Sequence, residues 1–567
     1  MKYTFKYRYL LLLLILVVGA ALRFYKLGSI PWAVNRDEAS IGYTAYSLLK
    51  IGTDEHGVSW PLNIQSFGDW KLPVYIYTLI PFVSLFGLTT TVVRLPSALA
   101  GVLLIPATFY FVTSFSSKKK HEAFVQIGLL AAFLVAISPW SIRLSRIAYE
   151  ANLALLLCVT GVSLLIRGLT TKNKLLLLPG TFLTLLPLIT YHAYQVFIPI
   201  FLLSICILFF APIAKTIKEH TKIALPVIFI ALAFMAVLFS ANTGAANTTK
   251  FTGLSIFSES TYHYELYDRR ISFPNPNGIA AKIYANSVSM VLEGMGKNIA
   301  SILSPSFLLF NGGTHGSHDI AGIGNIYSVT LTGLFLFFFW YIHGHPLIKN
   351  SKMPAVLLLW LLFSFFAPII TTEAAHSIRF SPALFPLELL AALGLYFTIT
   401  SIRKINTKIV VLGFFLILIT YSVIQFFGTY FYLYPKRDYD TWPWYYHSLA
   451  QDISLEKNEY KKVLFPQVSS SPYIFLLLEW QYPPENLATR LSFYPVDEDG
   501  FVHAKQLENI YFEPVDWQAF ISSAEPLLVF IDENELKKQN LSDNDFVVIK
   551  KYESKDAKKA YYLVSNR

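Results

Sequence analysis

Charged residues and cysteines are scarce in this chain. Only 14% of its 567 residues are Asp, Glu, Lys or Arg, whereas 54% are hydrophobic. A soluble domain carries roughly 25% charged residues, so this composition is typical of a protein embedded in lipid. The cysteines Cys158 and Cys206 both lie in apolar runs. This placement argues against a disulfide framework and indicates buried, unreactive thiols.

Internal repeats and low-complexity tracts are also missing, but the composition is not uniform. Most long apolar runs precede residue 428, and the remainder resembles an ordinary soluble protein. We therefore predict a polytopic α-helical membrane module at 1–429 and a soluble α/β domain at 430–567. The strands expected in that domain are 462–465, 527–531, 546–549 and 561–564.

The charges predict an orientation in the membrane. Basic residues precede the apolar run 10–22, and no small-residue cleavage site follows it, so this run is expected to be an uncleaved first span. The formal net charge of +10 is then explained by Lys and Arg in cytoplasmic loops rather than by a nucleic-acid partner. We expect a multi-pass plasma (inner) membrane protein with a cytoplasmic N-terminus.

One short apolar stretch decides the topology. Residues 74–88 include Pro81 and are too few for a comfortable span. If they lie in the outer interface instead, the lysines at 118–120 and every later basic loop fall on the cytoplasmic side. This assumption predicts about eleven spans, long outer loops at 23–91 and 241–324, and an extracytoplasmic C-terminal domain.

The first outer loop contains the adjacent carboxylates Asp37 and Glu38, followed by Tyr43. Such a pair is most often a solvated loop or a helix N-terminus. Acidic groups at the mouth of a membrane bundle are costly unless they are used, however. Asp37 is therefore a candidate general base toward an acceptor hydroxyl or amide, with Glu38 supporting it and Tyr43 contacting substrate.

Basic residues on the predicted outer side form a candidate anion site. Lys71, beside Asp69, is either an anchor at the interface or a ligand for a lipid phosphate. Arg94 runs against the positive-inside trend and is expected to bind a ligand. Arg146 could form an intrahelical ion pair with Glu150 or bind the same anion. A last outer segment adds His376 and Arg379.

A glycine-rich loop holds His315, His318 and Asp319. These residue types can ligate a metal, but the loop lacks a helix that would hold their spacing. A flexible loop that contacts substrate is favoured over a metal site. No cofactor is implied with certainty, and a divalent metal stays possible.

Together these groups predict a group transfer at the level of the lipid headgroups. A carboxylate would remove a proton from the acceptor, which attacks an anomeric carbon in line, while the basic residues stabilise the departing phosphate. Because a phosphate leaves readily as an anion, a second carboxylate acting as general acid is not required.

The order of these motifs resembles the GT-C superfamily of polytopic glycosyltransferases, in the branch of protein O-mannosyltransferases and the lipid A aminoarabinose transferase. The matching pieces are Asp37-Glu38, Lys71-Leu72-Pro73, Arg94 in VVRLPSALAG, Arg146 with Glu150, and HSIRFSPALFP. The resemblance implies a polyprenyl-phosphate sugar donor, inversion at the sugar and an acidic base at Asp37. This chain departs from the family in having Leu72 where a proline is more frequent and Glu150 where an aspartate is frequent.

We therefore expect a membrane glycosyltransferase acting on an acceptor protein or glycolipid. Asp37 and Glu38 are the predicted catalytic carboxylates, and Asp69, Glu150, His376 and Tyr43 are supporting or substrate-binding residues. The predicted donor-phosphate ligands are Lys71, Arg94, Arg146 and Arg379. The alternatives are a transporter or lipid flippase, which usually shows internal repeats, and a non-catalytic anchor. An oligosaccharyltransferase-like enzyme would need acidic metal ligands in later outer loops.

Overall fold

A computed structural model of the chain describes residues 2–67, 69–117, 120–241, 255–257, 259–313, 315–436, 442–466, 471–497, 501–542, 544–554 and 558–567. The chain folds into two compact units. The first contains Met1–Tyr25 and Ser97–Tyr430, and the second contains Lys26–Pro96 and Phe431–Arg567.

Most of the described residues are helical, as the long apolar runs predict. The helices up to residue 241 are α1 (Lys2–Phe24), α2 (Arg36–Ile51), α3 (Pro73–Phe86), α4 (Thr90–Ser114), α5 (His121–Ile137), α6 (Pro139–Ser145), α7 (Glu150–Thr170), α8 (Leu177–Leu185), α9 (Ala193–Leu208), α10 (Phe210–Glu219) and α11 (Thr221–Ala241). Those that follow up to residue 427 are α12 (Glu259–Ile271), α13 (Ile279–Tyr284), α14 (Ser287–Ile302), α15 (Ser328–Ile342), α16 (Pro346–Lys349), α17 (Met353–Ser364), α18 (Phe366–Ile369), α19 (Leu384–Ser401) and α20 (Ile405–Phe427).

By length and composition, six of the described helices could cross a membrane, or eight if each of two bent pairs is one span. The six segments are Tyr7–Phe24, Thr90–Ser114, Glu150–Thr170, Thr221–Leu238, Ser381–Ser401 and Ile405–Lys436. The bent pairs are α5 with α6, at 58°, and α9 with α10, at 81°. The count is lower than the predicted one of about eleven because Lys174–Ile189, Ser328–Ile342 and Met353–Ile369 are shorter apolar helices.

The stretch expected to lie in the outer interface is also a short helix. α3 has 14 residues and contains Pro81. At 1.5 Å per residue it is about 21 Å long, less than the roughly 30 Å of a hydrocarbon core. Its length therefore agrees with the interfacial placement, although the side of the membrane on which it lies stays a prediction.

The centre of the first unit is α19. In the apolar segment Ser381–Ser401, which contains α19, 78% of the residues are buried within the protein. In the segment Ile405–Lys436, which contains α20, only 17% are buried. α19 approaches α15 closely at two glycines, because a Cβ on Gly394 would lie 2.0 Å from the carbonyl oxygen of Gly333. Small residues allow two helix backbones to approach in this way inside a membrane bundle.

The second unit joins the predicted first outer loop to the C-terminal region. Its remaining helices are α21 (Tyr446–Glu456), α22 (Pro472–Trp480), α23 (Leu487–Arg490), α24 (Trp517–Ser522) and α25 (Glu533–Lys538). Helix α2 packs on α3 and on α22. The units divide after Tyr430, and the predicted first outer loop groups with the C-terminal residues. The cause is the buried face of α2, from Glu38 to Leu48, which needs apolar partners.

The strands of this unit form two sheets. They are β1 (Ile64–Ser66), β2 (Asp69–Lys71), β3 (Lys462–Leu464), β4 (Leu491–Phe493), β5 (Ala504–Leu507), β6 (Ile510–Tyr511), β7 (Leu527–Asp532), β8 (Val547–Glu553) and β9 (Ala560–Ser565). β1 and β2 form an antiparallel hairpin, and the others form one mixed sheet in the order β4-β5-β6-β3-β7-β9-β8.

The predicted strands of the C-terminal region correspond to β3, β7, β8 and β9. β3 runs parallel to both β6 and β7, which is the arrangement of an α/β domain. The prediction missed β4, β5 and β6, which have two to four residues each. Strands this short carry too few alternating residues to produce a pattern in the sequence.

Candidate functional site

The predicted catalytic carboxylates lie in the first turn of α2. Asn35 caps this helix, since its side chain accepts a hydrogen bond of 2.8 Å from the Glu38 backbone N–H. The Glu38 carboxylate in turn accepts one of 3.2 Å from the Asn35 backbone. This capping box defines where the helix begins, and the positive end of the helix dipole favours carboxylates in its first turn. Gly52, in a left-handed conformation at φ 73°, ends the helix.

Asp37 is ion-paired with Lys71. The Lys71 ammonium donates to the Asp37 carboxylate at 2.8 Å. The Lys71 side chain is 5% exposed, whereas that of Asp37 is 43% exposed. Lys71 ends β2, and the pairing of Ile64 with Lys71 holds it in the hairpin. A buried cation thus holds a carboxylate that solvent or a substrate can still reach.

The turn of this hairpin is an unusual backbone segment. Phe67 follows β1 and adopts a left-handed conformation at φ 59° while its side chain is buried. Strained backbone of this kind concentrates at functional sites. Its ring lies 5.8 Å from the Lys71 ammonium and 5.0 Å from the Arg36 guanidinium. The side chain of Asp69, predicted to support this site, lies outside the described residues.

Glu38 has a different environment from its neighbour. Arg94 donates to both Glu38 oxygens, at 2.8 and 2.9 Å, and both side chains are fully buried. Arg94 also donates to the backbone carbonyls of Leu27, Pro31 and Ala33. Such a guanidinium is already saturated by protein oxygens. The geometry therefore favours a structural ion pair over the predicted roles of phosphate ligand and catalytic carboxylate.

Tyr43, predicted to contact substrate, is buried on the next turn of α2. Its hydroxyl donates a hydrogen bond of 3.0 Å to the Tyr482 carbonyl, which follows α22. Burial raises the pKa of Tyr43, so its hydroxyl stays protonated. This geometry places Tyr43 in the packing between α2 and the C-terminal helices.

The sequence interpretation missed Glu55. It lies in the loop after α2, and its side chain has no exposed surface. Burial raises its pKa to about 8, the nearby Asp54 adds to the effect, and Lys71 and Tyr473 oppose it. No local signal marks this residue, because TDEHG has the composition of an ordinary polar loop.

The first unit contains a second group of predicted residues. Arg146, just before α7, donates to the backbone carbonyls of Leu22 and Arg23 at 3.1 and 3.0 Å. Its guanidinium also lies 5.4 Å from the Tyr430 ring. Glu150 is the first residue of α7, where a carboxylate complements the helix dipole.

The predicted metal candidates lie in this unit as well. The rings of His315 and His318 are stacked at 4.2 Å, and His318 is 4.6 Å from His376. Asp319 is 3.4 Å from Arg143 instead and accepts a hydrogen bond from Ser377. Across the described ranges, no group of three or more His, Cys, Asp or Glu residues is arranged to hold a metal.

Two imidazoles of this histidine cluster, those of His318 and His376, favour the neutral form. Burial lowers the pKa of His318 and of His376, and the nearby imidazoles and Arg379 lower both further. Arg379 itself forms a 3.5 Å ion pair with Glu373 and is 16% exposed. Of the predicted phosphate ligands, Lys71 and Arg94 belong to the second unit, and Arg146 and Arg379 belong to the first.

Solved structures of known proteins are similar to this chain. ArnT from Cupriavidus metallidurans bound to undecaprenyl phosphate has a TM-score of 0.53 at 11% identity, with 98% of each chain covered. The archaeal oligosaccharyltransferase AglB from Archaeoglobus fulgidus, in complex with an inhibitory peptide and a dolichol-phosphate, has a TM-score of 0.47 at 11% identity. That match covers 84% of this chain and 64% of AglB. No family model and no curated protein sequence matches the chain.

The likeness to undecaprenyl-phosphate-bound ArnT extends over nearly the whole chain, and at 11% identity it is a likeness of fold. The apolar helices make the protein a multi-pass membrane protein. The chain therefore has the fold of the GT-C polytopic glycosyltransferases, as the order of its sequence motifs predicts.

Proposed function

We propose that this protein is a membrane glycosyltransferase that moves a sugar from a polyprenyl-phosphate donor to an acceptor, with inversion at the anomeric carbon. The observation that carries the proposal is the pair formed by Asp37 and Lys71. An accessible carboxylate is held at 2.8 Å by a buried ammonium group at the start of a capped helix. A general base needs this combination of a defined position and access to substrate.

The proposed reaction is a single displacement. Asp37 accepts the proton of the acceptor hydroxyl or amide, whose oxygen or nitrogen forms a bond to the anomeric carbon. The bond from that carbon to the phosphate oxygen breaks, and the polyprenyl phosphate leaves with the electron pair. Lys71 is proposed to stabilise the departing phosphate. Arg94 would act indirectly by fixing Glu38, and through it the first turn of α2.

The donor class is supported by the fold and by the Lys71 ammonium. ArnT, whose fold this chain shares, was solved with undecaprenyl phosphate bound. A lysine near the membrane interface is suited to a lipid phosphate. We extend the proposal to an active site and a C-terminal domain on the extracytoplasmic side, with an acceptor protein or glycolipid.

The test is transfer by the purified protein in detergent. Polyprenyl-phosphate sugars would be supplied as a panel with candidate acceptors, and release of polyprenyl phosphate would be measured. We expect release with the wild type, and a loss of at least about 100-fold in Asp37→Asn, in line with the usual contribution of a general base. Asp37→Asn should stay folded, which a cooperative unfolding transition in detergent would show.

Asp268→Asn is the matched control, because Asp268 is an exposed aspartate of α12 in the other unit. It should leave transfer unchanged. Full activity in Asp37→Asn would end the assignment of the base. Absence of release from every donor by the wild type would end the proposed function itself.

A further inference from the structure

Three consecutive helices of the first unit expose a set of large apolar side chains. They are α12, α13 and α14, which lie in the predicted outer loop 241–324. Ile279 and Ile283 of α13 are 79% and 69% exposed, and Val288 and Leu292 of α14 are 67% and 62% exposed. Apolar residues that are exposed singly need no explanation, but a contiguous set marks an interaction surface.

On α14 the exposed apolar side chains form a stripe along one side of the helix. At about 100° per residue, Val288, Leu292 and Ile299 lie within about 40° of one another around the helix axis. Leu303, the residue that ends the helix, is also exposed and continues the stripe. The stripe therefore runs the whole length of α14.

A hydrogen-bonded asparagine fixes α14 at the end of an apolar helical segment. Asn298 donates from Nδ2 to the carbonyl oxygens of Ile369 and Thr371, at 2.7 and 2.8 Å. Ile369 ends the apolar segment Met353–Ile369, which packs on α9 and α19. In a membrane protein the end of such a segment marks the level at which hydrocarbon gives way to headgroups and water. α14 is thus held at that level.

The charged residues of α14 lie on a different side from the stripe. Glu293 and Lys297 form an ion pair of 2.8 Å, and both lie at least about 100° around the axis from the stripe residues Val288, Leu292 and Ile299. Arg269 of α12 also donates to Glu293, at 3.0 Å. A helix with an apolar stripe on one side and charges on another is suited to lie in the plane of a membrane interface.

The neighbouring helices expose tyrosines beside their apolar residues. Tyr264 and Tyr267 of α12 are 82% and 60% exposed, and Tyr284, which ends α13, is 57% exposed. The guanidinium of Arg269 lies 5.8 Å from the Tyr284 ring and so connects α12 to α13. Tyrosine is enriched where a membrane meets water, because its ring is apolar and its hydroxyl stays hydrated.

The bilayer around the membrane helices is the occupant that this surface fits. Two apolar spans of the same unit, Thr221–Leu238 and Ile405–Lys436, are only 11% and 17% buried, so lipid already covers most of their surface. Residues 259–302 contain four acidic and four basic side chains. This balance indicates that apolar burial, rather than attraction to anionic lipid, holds the three helices on the membrane.

We propose that α12, α13 and α14 form a platform in the interface between lipid and water. The stripe of α14 lies among the upper parts of the acyl chains, and the side with Glu293 and Lys297 faces water. The platform depends on the membrane helices of the first unit and not on the proposed sugar transfer.

The test measures the depth of spin labels in the membrane. The full chain with Cys206→Ser is reconstituted in phosphatidylcholine vesicles, and a nitroxide is attached at Val288→Cys or Leu292→Cys. Collisions of the nitroxide with oxygen, which concentrates in lipid, are compared with collisions with a water-soluble nickel chelate. We expect oxygen collisions to exceed nickel collisions at both positions, because both side chains lie in the acyl-chain region.

Lys297→Cys on the same helix is the matched control, and its label should show the reverse ratio. Leu416→Cys, at an exposed position of α20, provides the lipid reference. The Cys206→Ser parent keeps the buried Cys158 and gives the background of labelling. A cooperative unfolding transition in detergent shows that a variant is folded, and each of the two stripe positions decides the question without the other.

Two results would overturn the proposal. An excess of nickel collisions at Val288→Cys and Leu292→Cys, as at Lys297→Cys, would place the stripe in water. Low collision rates with both reagents would show that protein covers the stripe, either a partner or a second copy of this chain.

Discussion

At the scale of single residues, two adjacent carboxylates have different roles because their exposures differ. Asp37 is accessible and bound to Lys71, whereas Glu38 is enclosed with Arg94. Removing one partner of a buried ion pair destabilises the folded protein, because the other charge remains buried without compensation. The Glu38 and Arg94 pair is therefore expected to support the site through stability.

A double-mutant cycle tests this interpretation. Glu38→Gln and Arg94→Met should each lower the free energy of unfolding by about 3–5 kcal/mol, as for other broken buried pairs. The double variant should lose less than the sum of the two, since neither charge is then left alone. Thermal unfolding in detergent measures all four proteins. Additive losses would show that the two charges are not coupled.

At the scale of elements, α2 is the helix that positions the proposed base. Its first turn depends on the capping box of Asn35 and Glu38, and its buried face packs on α3 and α22. The base is therefore anchored by a local hydrogen-bond motif and by tertiary packing. A second capping box, made by Asn286 and Ser289, begins α14, and this helix does not carry the proposed base.

This pair of helix starts provides a matched comparison. Asn35→Ala and Asn286→Ala should each lower stability by about 1 kcal/mol, the usual cost of losing an N-cap. Only Asn35→Ala should also reduce transfer, because it loosens the turn that holds Asp37. Unfolding temperatures and kcat/KM would be measured together. Equal loss of transfer in both variants would argue against a specific role for the start of α2.

At the scale of the whole molecule, the orientation in the membrane decides where the chemistry takes place. The basic loops predict that the segment around Asn173 is cytoplasmic and that the C-terminal domain is outside. Both Asn173 and Asn458 are exposed positions at which a cysteine can be introduced. The native thiols are Cys158, which is buried, and Cys206, which is exposed.

Thiol labelling in intact cells tests this topology. In a Cys206→Ser background, a membrane-impermeant reagent should label Asn458→Cys directly and Asn173→Cys only after permeabilisation. The physical reason is that translocation of Lys-rich loops is disfavoured. The opposite pattern would invert the orientation and move the proposed active site to the cytoplasm.

The elements that the sequence predicted correctly are those defined by local patterns. Long apolar runs became helices because their backbone groups can be satisfied only within the segment in lipid. Short apolar runs between turns predicted the strands β3, β7, β8 and β9. The shorter apolar helices were counted as spans from composition, and only the folded chain shows their lengths.

Local patterns also singled out the residues of the candidate site, but not their partners. The adjacency of Asp37 and Glu38 is visible in the chain, and their predicted position at the mouth of a membrane bundle indicated a functional role. Their opposite exposures are not visible, because Lys71 is 34 positions from Asp37 and Arg94 is 56 from Glu38. Contacts over such separations depend on how the hairpin and the helices pack.

By itself, then, the sequence determined that the chain is a multi-pass membrane protein with an α/β C-terminal region, since hydropathy and periodicity are local properties. The tertiary structure decided which carboxylate is accessible, which arginine is enclosed, and that the first outer loop packs with the C-terminal region. It also decided that Glu55 is buried. Burial depends on what the rest of the chain places around a residue, and no stretch of sequence records that by itself.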